Sequence, residues 1–583
     1  MENSKYNRAF TTRKLLEYTK KTKGSLLIGA IFSVGAVLAD LIGPYIIGQI
    51  LDSELIEGIG PRDIRFYILL LVAYYGAVLF ASLSRYLAIV FFNRTANGVA
   101  RHMQEDTFRH VQFLPLQFFD RFPAGKVVSR ITNDTKDVRV LFQVVLSQLT
   151  TAAIYGMGVY IGLALLDWRL ALMALIPVPL ALVVFFDFKT KSKKFNYAYR
   201  RYLSDLNAEL NEHIQGMEII QAYNKEEEIY EEFEQVNQKV FREGLNFTKL
   251  FAYSAYNAMG TIRQLTFAAA LLYFGYGAIT GAYQSTIGLL YIFINYMTTL
   301  FDFGTDVVLR VGELEKARAA ADHVFELLQE EPEIFDGMQP EGIKGEVAFE
   351  RVSFSYNGKD EVLKDIDFAT SANQSIAFVG HTGSGKSTIM NLLFGYYQPQ
   401  KGCIRIDGVA FEDYDKRAVR SHMSIVLQDP FLFTGDIYSN ITMFDDSISQ
   451  EAATQALLEV GGREFLAKQP DGIRTMVQEK GSTFSAGERQ LISFARALVQ
   501  DPKILVLDEA TSNIDSETEV YIQKGIERLQ RGRTTFIIAH RLSTIKNVDR
   551  IYVLDKGRIA QAGSHAQLIQ QGGIYKEMYE AQS

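Results

Sequence analysis

Long apolar runs dominate the first 310 residues, whereas the rest of the chain alternates short apolar runs with charged segments. A helix needs about 20 apolar residues to cross a bilayer. Six runs reach that length, and the first is too long to be a cleavable signal. We therefore predict six membrane-spanning helices, near residues 25–50, 66–93, 138–164, 167–188, 250–279 and 285–309.

The distribution of basic residues predicts how these spans are oriented. Lys and Arg residues cluster before the first span, and the loop that follows this span is mainly acidic. Positively charged flanks tend to remain in the cytoplasm. We therefore expect a cytoplasmic N-terminus, with the long charged segments 94–137 and 189–249 on the same side of the membrane.

The second half contains a phosphate-binding loop in the expected context. A predicted buried strand, Gln374–Val379, runs into a segment that fits the pattern GxxxxGK[ST] and is followed by a helical run. Its glycines let backbone N–H groups surround phosphates at a helix N-terminus. Lys386 would neutralise the β- and γ-phosphates of ATP, and Ser387 would bind Mg²⁺. The predicted nucleotide-binding residues of this loop are Gly380, His381, Thr382, Gly383, Ser384, Gly385, Lys386, Ser387 and Thr388.

A second apolar run, Ile504–Leu507, ends at two carboxylates, Asp508 and Glu509. Such a strand delivers its last residues to the sheet edge where α/β proteins bind ligands. Asp508 is a predicted Mg²⁺ ligand, and Glu509 would orient or deprotonate the attacking water. An acidic helix cap after a strand is the alternative interpretation. The phosphate loop upstream favours the catalytic one.

Composition excludes several other classes of function. The formal net charge is -7 and the C-terminal half has no basic stripe, so we expect no nucleic-acid partner. Cys403 is the only cysteine, which excludes an intrachain disulfide and a zinc site built from cysteines.

These motifs, in this order, resemble those of ATP-binding cassette (ABC) transporters over nearly the whole length of the chain. Six spans followed by one cassette resemble a half-transporter of the exporter type. The resemblance implies an all-α transmembrane domain of six helices at residues 1–310 and a linker at 311–342. A cytosolic α/β P-loop nucleotide-binding domain would follow at residues 343–583.

The resemblance also implies roles for residues outside the phosphate loop. Tyr356 lies where the family stacks an aromatic ring on adenine. Gln428 matches the catalytic Q-loop glutamine, which contacts Mg²⁺, and His540 matches the switch histidine that faces the γ-phosphate. Ser512 and Asp515 lie at the position of the D-loop.

The segment 484–490 resembles an altered ABC signature, which contacts the ATP held by the opposite chain. Compared with LSGGQ, Ser485 and Gly487 are retained, whereas Phe484, Ala486 and Glu488 replace Leu, the first Gly and Gln. Ala486 adds a methyl group where the backbone must approach phosphate, and Glu488 adds a negative charge. We expect both changes to weaken closure over the partner-bound ATP. A signature that tolerates these changes is the alternative.

An altered signature beside an intact Glu509 and His540 resembles one subunit of bacterial heterodimeric multidrug exporters. The implied partner is a second half-transporter with an intact signature. In this partner the Walker B glutamate, which corresponds to Glu509 of this chain, is replaced. The resemblance thus implies ATP-driven export of hydrophobic or amphipathic small molecules across a bacterial cytoplasmic membrane, as in multidrug efflux. Export of a peptide or lipid-like substrate and a regulatory ABC protein are the alternatives.

Placing a charged side chain in the hydrocarbon core of a membrane costs free energy, so charged residues inside spans usually face a bundle interior or a cavity. Asp40, Arg85, Arg263 and Asp302 are therefore candidates for a substrate cavity. Ion pairing between neighbouring helices explains such residues equally well.

Overall fold

A computed structural model describes residues 8–55, 64–281, 286–508, 516–539 and 542–582 of the chain. The chain forms two compact units. The first comprises Met1–Leu114 and Phe122–Pro332, and the second comprises Pro115–Arg121 and Glu333–Ser583.

The first unit is helical throughout its described secondary structure, with three π-helical stretches at Arg130–Asp134, Val144–Leu149 and Ala252–Ala258. The α-helices up to residue 328 are α1 (Arg8–Lys20), α2 (Lys23–Leu55), α3 (Ile64–Val111), α4 (Leu116–Arg121, in the second unit), α5 (Ala124–Ser129), α6 (Thr135–Gln143), α7 (Thr150–Leu166), α8 (Trp168–Leu175), α9 (Pro177–Gln215), α10 (Met217–Ala222), α11 (Glu226–Phe251), α12 (Met259–Thr280) and α13 (Ile287–Leu328).

Among the described residues, five helical stretches are long and apolar enough to cross a membrane. The predicted span at 250–279 corresponds to the third π-helical stretch and α12, which are not among the five. Arg263 and Gln264 lower the mean hydropathy of α12. α13 continues past residue 310, so the first part of the predicted linker is helical. The five stretches are Lys23–Asp52, Ile64–Val111, Ala124–Leu166, Trp168–Gln215 and Ile287–Val307.

Packing in the helical unit is dense inside and apolar outside. A core from α7, α8, α12 and α13 buries Val159, Leu163 and Phe293 completely. By contrast, Leu165 and Ile279 are 83% and 87% exposed. Apolar side chains left so exposed destabilise a protein in water, whereas a lipid environment accommodates them.

α2 and α13 approach each other closely at two glycines. A Cβ on Gly288 would lie 2.2 Å from the carbonyl oxygen of Gly48. Thr286 is the N-cap of α13, and Asp52 of α2 supports this cap, because its carboxylate accepts from the Thr286 hydroxyl at 2.8 Å and from the Gly288 N–H at 2.7 Å. Small residues and a satisfied cap thus join these two helices.

The second unit contains two main sheets. One has the order β2-β1-β4-β5 and is antiparallel. The other has the order β12-β11-β3-β10-β9-β6 and is parallel except for β12. The strands are β1 (Val347–Phe354), β2 (Leu363–Thr370), β3 (Ser375–Val379), β4 (Lys401–Ile406), β5 (Val409–Ala410), β6 (Met423–Val426), β7 (Gly435–Asp436), β8 (Met476–Val477), β9 (Ile504–Asp508), β10 (Thr534–Ile538), β11 (Arg550–Asp555) and β12 (Arg558–Gly563).

Helices accompany these sheets along the second unit. The central strands β3, β9 and β10 are almost entirely buried, which explains their continuous apolar sequences. The predicted order of an all-α domain followed by an α/β domain is confirmed. The remaining helices are α14 (Lys386–Leu393), α15 (Lys416–Arg420), α16 (Ile437–Thr442), α17 (Gln450–Glu459), α18 (Arg463–Ala467), α19 (Ala486–Val499), α20 (Ser516–Gln530), α21 (His565–Gln571) and α22 (Ile574–Gln582).

Candidate functional site

The predicted nucleotide residues gather at one edge of the parallel sheet. Val426 pairs with Leu507, Asp508 pairs with Ile538, and Ile538 pairs with Phe378, so the carboxyl ends of β6, β9, β10 and β3 are aligned. The phosphate loop follows β3, Gln428 follows β6, and Asp508 ends β9. Ligands of α/β proteins bind at such an edge.

The phosphate loop makes a turn that requires glycine at two points. Gly380 has φ +154°, and a Cβ there would lie 2.3 Å from the carbonyl oxygen of Leu554. Gly385 has φ +106°, and its Cβ would lie 2.5 Å from Cδ2 of Leu363. Both positions combine an unusual backbone conformation with a close neighbour, so the loop path depends on the absence of side chains.

The interior of the loop offers groups that suit phosphate. Lys386 begins α14 and is 95% buried, and its Nζ donates to the carbonyl oxygens of Gly380 at 2.8 Å and His381 at 3.1 Å. The hydroxyl oxygen of Ser384 is buried without a hydrogen-bond partner. A buried ammonium and an orphaned hydroxyl at a helix N-terminus fit the phosphates of ATP. His381, Thr382, Gly383 and Ser387 are exposed, and Gly385 and Thr388 are buried.

Tyr356 lies beside the helix that follows the loop. Its hydroxyl donates to Oγ1 of Thr388 at 3.2 Å and accepts from Nδ2 of Asn391 at 3.2 Å. The ring packs edge-on against Tyr397 with centroids 5.0 Å apart, and the residue is 47% exposed. Half of the residue therefore remains free to contact a base. Asn391 could not be predicted from the sequence, because no motif marks a residue that only orients a tyrosine.

The residues predicted to bind Mg²⁺ supply oxygen atoms from three elements. Ser387 is exposed in the first turn of α14, Asp508 is half-buried at the end of β9, and Gln428 is exposed after β6. Hydroxyl, carboxylate and amide oxygens suit Mg²⁺, which usually takes its remaining ligands from phosphates and water. The predicted catalytic residues Glu509 and His540 and the D-loop residues Ser512 and Asp515 lie outside the described residues.

The altered signature forms the start of α19. Ser485 is the N-cap, and its hydroxyl accepts from the Glu488 N–H at 3.3 Å. In return, the Glu488 carboxylate accepts from the Ser485 N–H at 2.8 Å. Ala486 is the first helical residue, and Gly487 is buried.

This reciprocal pair is a capping box. It directs the charge of Glu488 to the N-terminus of its own helix, where the helix dipole stabilises a carboxylate. The pattern Ser-x-x-Glu before an apolar run is typical of such a cap, so the sequence contained a signal for it that the comparison with LSGGQ did not use. Glu488 is therefore expected to have two effects. Its charge weakens the contact of the signature with the phosphates of the partner-bound ATP, and its cap stabilises the helix that carries the signature.

The four charged residues that were candidates for a substrate cavity form two interhelical ion pairs. Arg85 of α3 pairs with Asp40 of α2, and Arg263 of α12 lies 3.2 Å from Asp302 of α13. Asp40 and Arg85 line a cavity of about 460 Å³ between α2, α3, α7 and α13, whereas the other pair is not among its lining residues. The structure thus separates the four predicted cavity residues into two groups.

Comparison with known proteins agrees with this architecture. The family described as ABC transporter transmembrane region matches residues 26–302, and the family described as ABC transporter matches residues 363–512. A Bacillus subtilis (strain 168) protein named "Probable multidrug resistance ABC transporter ATP-binding/permease protein YheH" is 44% identical over 92% of this chain and 80% of its own length.

Two further similarities extend along the chain. A protein of Mycobacterium bovis named "Fatty acid ABC transporter ATP-binding/permease protein" is 33% identical over 84% of this chain and 77% of its own length. A solved structure of a bacterial Atm1-family ABC exporter with ATP bound superimposes with a TM-score of 0.81 at 26% identity, over 96% of this chain and 98% of that one. This chain therefore belongs to the ABC transporter family, as a half-transporter of the exporter type.

Proposed function

We propose that this chain hydrolyses ATP to export hydrophobic or amphipathic compounds by alternating access, as in multidrug efflux. The observation that carries the proposal is the single sheet edge shared by the phosphate loop, Gln428 and Asp508. The relative whose name refers to multidrug resistance supports the substrate class. Five apolar helical stretches and bacterial relatives support a cytoplasmic membrane location, with the N-terminus and cassette in the cytoplasm.

The proposed roles follow from the chemistry of each side chain. Lys386 neutralises phosphate charge, and Ser387, Asp508 and Gln428 would hold Mg²⁺, which would supply further charge stabilisation for the phosphates. Glu509 orients or deprotonates the attacking water, and His540 faces the γ-phosphate. ATP would favour the closed cassette pair, and hydrolysis would remove that preference.

Replacement of Glu509 by Gln tests the hydrolytic proposal. We expect E509Q to bind ATP with near-normal affinity and to hydrolyse it orders of magnitude more slowly, because the water loses its base. ATPase activity and ATP binding of the reconstituted assembly are the two measurements. Near-normal turnover by E509Q would assign the active site to another residue or chain.

The altered signature supports a heterodimer. Ser485 and Gly487 are retained, yet Ala486 and Glu488 depart from LSGGQ while Glu509 is present. We propose that the partner has an intact signature and a replaced Walker B glutamate. ATP held by this chain would then be hydrolysed against the signature of the partner, and the second site would turn over slowly.

The chain purified alone tests the heterodimer. We expect weak ATPase activity in isolation and a large increase on addition of a partner half-transporter. A stable homodimer with robust turnover would contradict the heterodimer but leave the exporter function intact.

Export of a lipid-like substrate is the second candidate. It is favoured by a strongly apolar pocket of about 440 Å³, lined by residues such as Leu182, Phe185, Met259 and Phe301, and by the relative named for fatty acids. Transport of a fluorescent fatty acid and of an amphipathic dye into inverted vesicles separates the two candidates. Uptake of only the fatty acid would favour the second.

A further inference from the structure

We propose that the cavity between α2, α3, α7 and α13 binds a monovalent organic cation with an apolar body, and that Asp306 is its counter-ion. This inference rests on the proposed export function, since it assigns the substrate class of the exporter. The cavity has a volume of about 460 Å³, within the range of small-molecule sites.

The charges that line the cavity do not cancel. Its lining includes two carboxylates, Asp40 and Asp306, but one guanidinium, that of Arg85. Arg85 is already paired with Asp40. Asp306 has no ion pair or hydrogen bond among the described residues. One negative charge therefore faces the cavity, and a cation is its natural complement.

Hydrogen-bonding groups in the cavity also favour a cation. The hydroxyls of Thr151 and Thr299 donate to carbonyl oxygens of their own helices, Ser147 at 2.7 Å and Asn295 at 3.2 Å. The side-chain oxygen of Gln148 is buried without a partner. These two hydroxyl donors are thus occupied, while the buried Gln148 oxygen remains as an acceptor, which favours a cation over an anion.

Aromatic rings supply the apolar part of the site. Tyr155 and Phe303 lie with ring centroids 5.2 Å apart, and Phe92 lines the same cavity. Phe303 is only partly buried and can cover apolar ligand surface or attract a cation through its π face, whereas Tyr155 and Phe92 are 3% and 1% exposed and form the wall of the cavity. Asp306 and Phe303 are three residues apart on α13 and share one helix face.

Tetraphenylphosphonium and tetraphenylborate test the proposal, because they have the same shape and opposite charge. Equilibrium dialysis is performed on the full-length chain in lipid nanodiscs, in the assembly in which it purifies, with empty nanodiscs as background. We expect saturable binding of tetraphenylphosphonium and at least about tenfold weaker binding of tetraphenylborate. Equal affinity for the two ions would overturn the proposal.

Substitution of Asp306 locates the counter-ion. We expect D306N to weaken tetraphenylphosphonium binding about tenfold and D306E to restore it. D302N is the matched control on the same helix, because Asp302 pairs with Arg263 and does not line the cavity. The affinity of D302N for tetraphenylphosphonium should stay within about twofold of wild type. Unchanged binding by D306N would overturn the role of Asp306, and if D306N fails to fold, the comparison of the two ions decides.

ATPase activity of the same preparations separates this proposal from the exporter function. Normal ATP hydrolysis without tetraphenylphosphonium binding would overturn the cation site alone. Selective cation binding without any hydrolysis, in the presence of a partner half-transporter, would overturn the proposed export function and leave the site standing.

Discussion

Glu488 and Ser485 cap α19 reciprocally, each accepting a hydrogen bond from the backbone N–H of the other. The two distances are 2.8 and 3.3 Å. Glu488, one of the residues that distinguish this signature from LSGGQ, is therefore also part of the N-terminal cap of the helix that carries the signature. Glutamine and glutamate both serve at this position of a capping box.

Substitutions of Glu488 separate its cap from its charge. We expect E488A to lower the free energy of unfolding of the cassette by about 1 kcal/mol, because the Ser485 N–H loses its acceptor. E488Q retains an acceptor oxygen and should unfold close to wild type, while ATP-driven closure becomes tighter. Thermal unfolding of the full chain and its ATP affinity are the measurements. Equal destabilisation by both variants would contradict the capping role.

Two glycine substitutions in the phosphate loop should differ sharply in their effect on stability and on nucleotide binding. G380A introduces a Cβ 2.3 Å from a backbone oxygen, whereas a Cβ on Gly383 meets nothing within 4 Å. Gly383 has φ +81°, so G383A carries only conformational strain of about 1–2 kcal/mol. We expect G380A to lose more stability than G383A and to lose nucleotide binding as well. Thermal unfolding and binding of a fluorescent ATP analogue measure both effects.

His323 links the stability of the helical unit to pH. Its Nδ1 lies 3.3 Å from Oδ2 of Asp134, and this hydrogen bond raises the pKa of His323 above its usual value of 6.5. Arg130 opposes this shift and Glu326 supports it. Because the folded pKa is raised, the stabilisation is fully present below pH 6.5 and is lost as the pH rises through the folded pKa.

Unfolding between pH 5.5 and 8.5 measures this contribution. The difference in melting temperature between wild type and H323Q should be largest at the acidic end and should shrink as the pH rises. D134N should remove the same pH-dependent part, because it removes the acceptor that raises the pKa. A difference that is constant across this range would show that the pair does not titrate.

The effects of substituting Asp40 and Arg85 on the free energy of unfolding should not be additive, because the two residues form an ion pair. R85Q leaves the carboxylate of Asp40 without its partner in a membrane span. We expect the free energy of unfolding to fall by more than about 1 kcal/mol. The double variant D40N/R85Q removes both charges and should recover most of that loss. Thermal unfolding of the single and double variants in detergent completes the cycle. Additive losses would indicate that the pair contributes nothing as a pair.

Much of the fold could be predicted because its signals are local. The strand before Gly380, the loop that ends in Lys386 and the strand that ends at Asp508 each occupy a short stretch with a distinctive pattern. The predicted strand at 374–379 is confirmed as β3 within one residue. Membrane spans could also be predicted from local sequence, because the hydropathy of a segment is an average over adjacent residues. The predicted span at 250–279 corresponds to the third π-helical stretch and α12, although Arg263 and Gln264 dilute its apolar signal.

Contacts between distant segments could not be predicted in the same way. The sequence showed Asp40, Arg85, Arg263 and Asp302 as charges in apolar surroundings but could not pair them, since partners lie 39 or 45 residues apart on different helices. Tyr356 was assigned to adenine by resemblance alone, and its contact with Thr388 depends on how β1 packs near α14.

The sequence by itself determined the family, the order of the two domains and the loop that suits phosphate, because each follows from residues adjacent in the chain. Only the tertiary structure decided which charges neutralise each other and which remain exposed to a cavity. Asp306 and Asp40 are alike as sequence, but the packing of α3 against α2 gives Asp40 an arginine and leaves the Asp306 carboxylate facing the cavity. Electrostatic pairing depends on distance in space, and only the fold sets that distance.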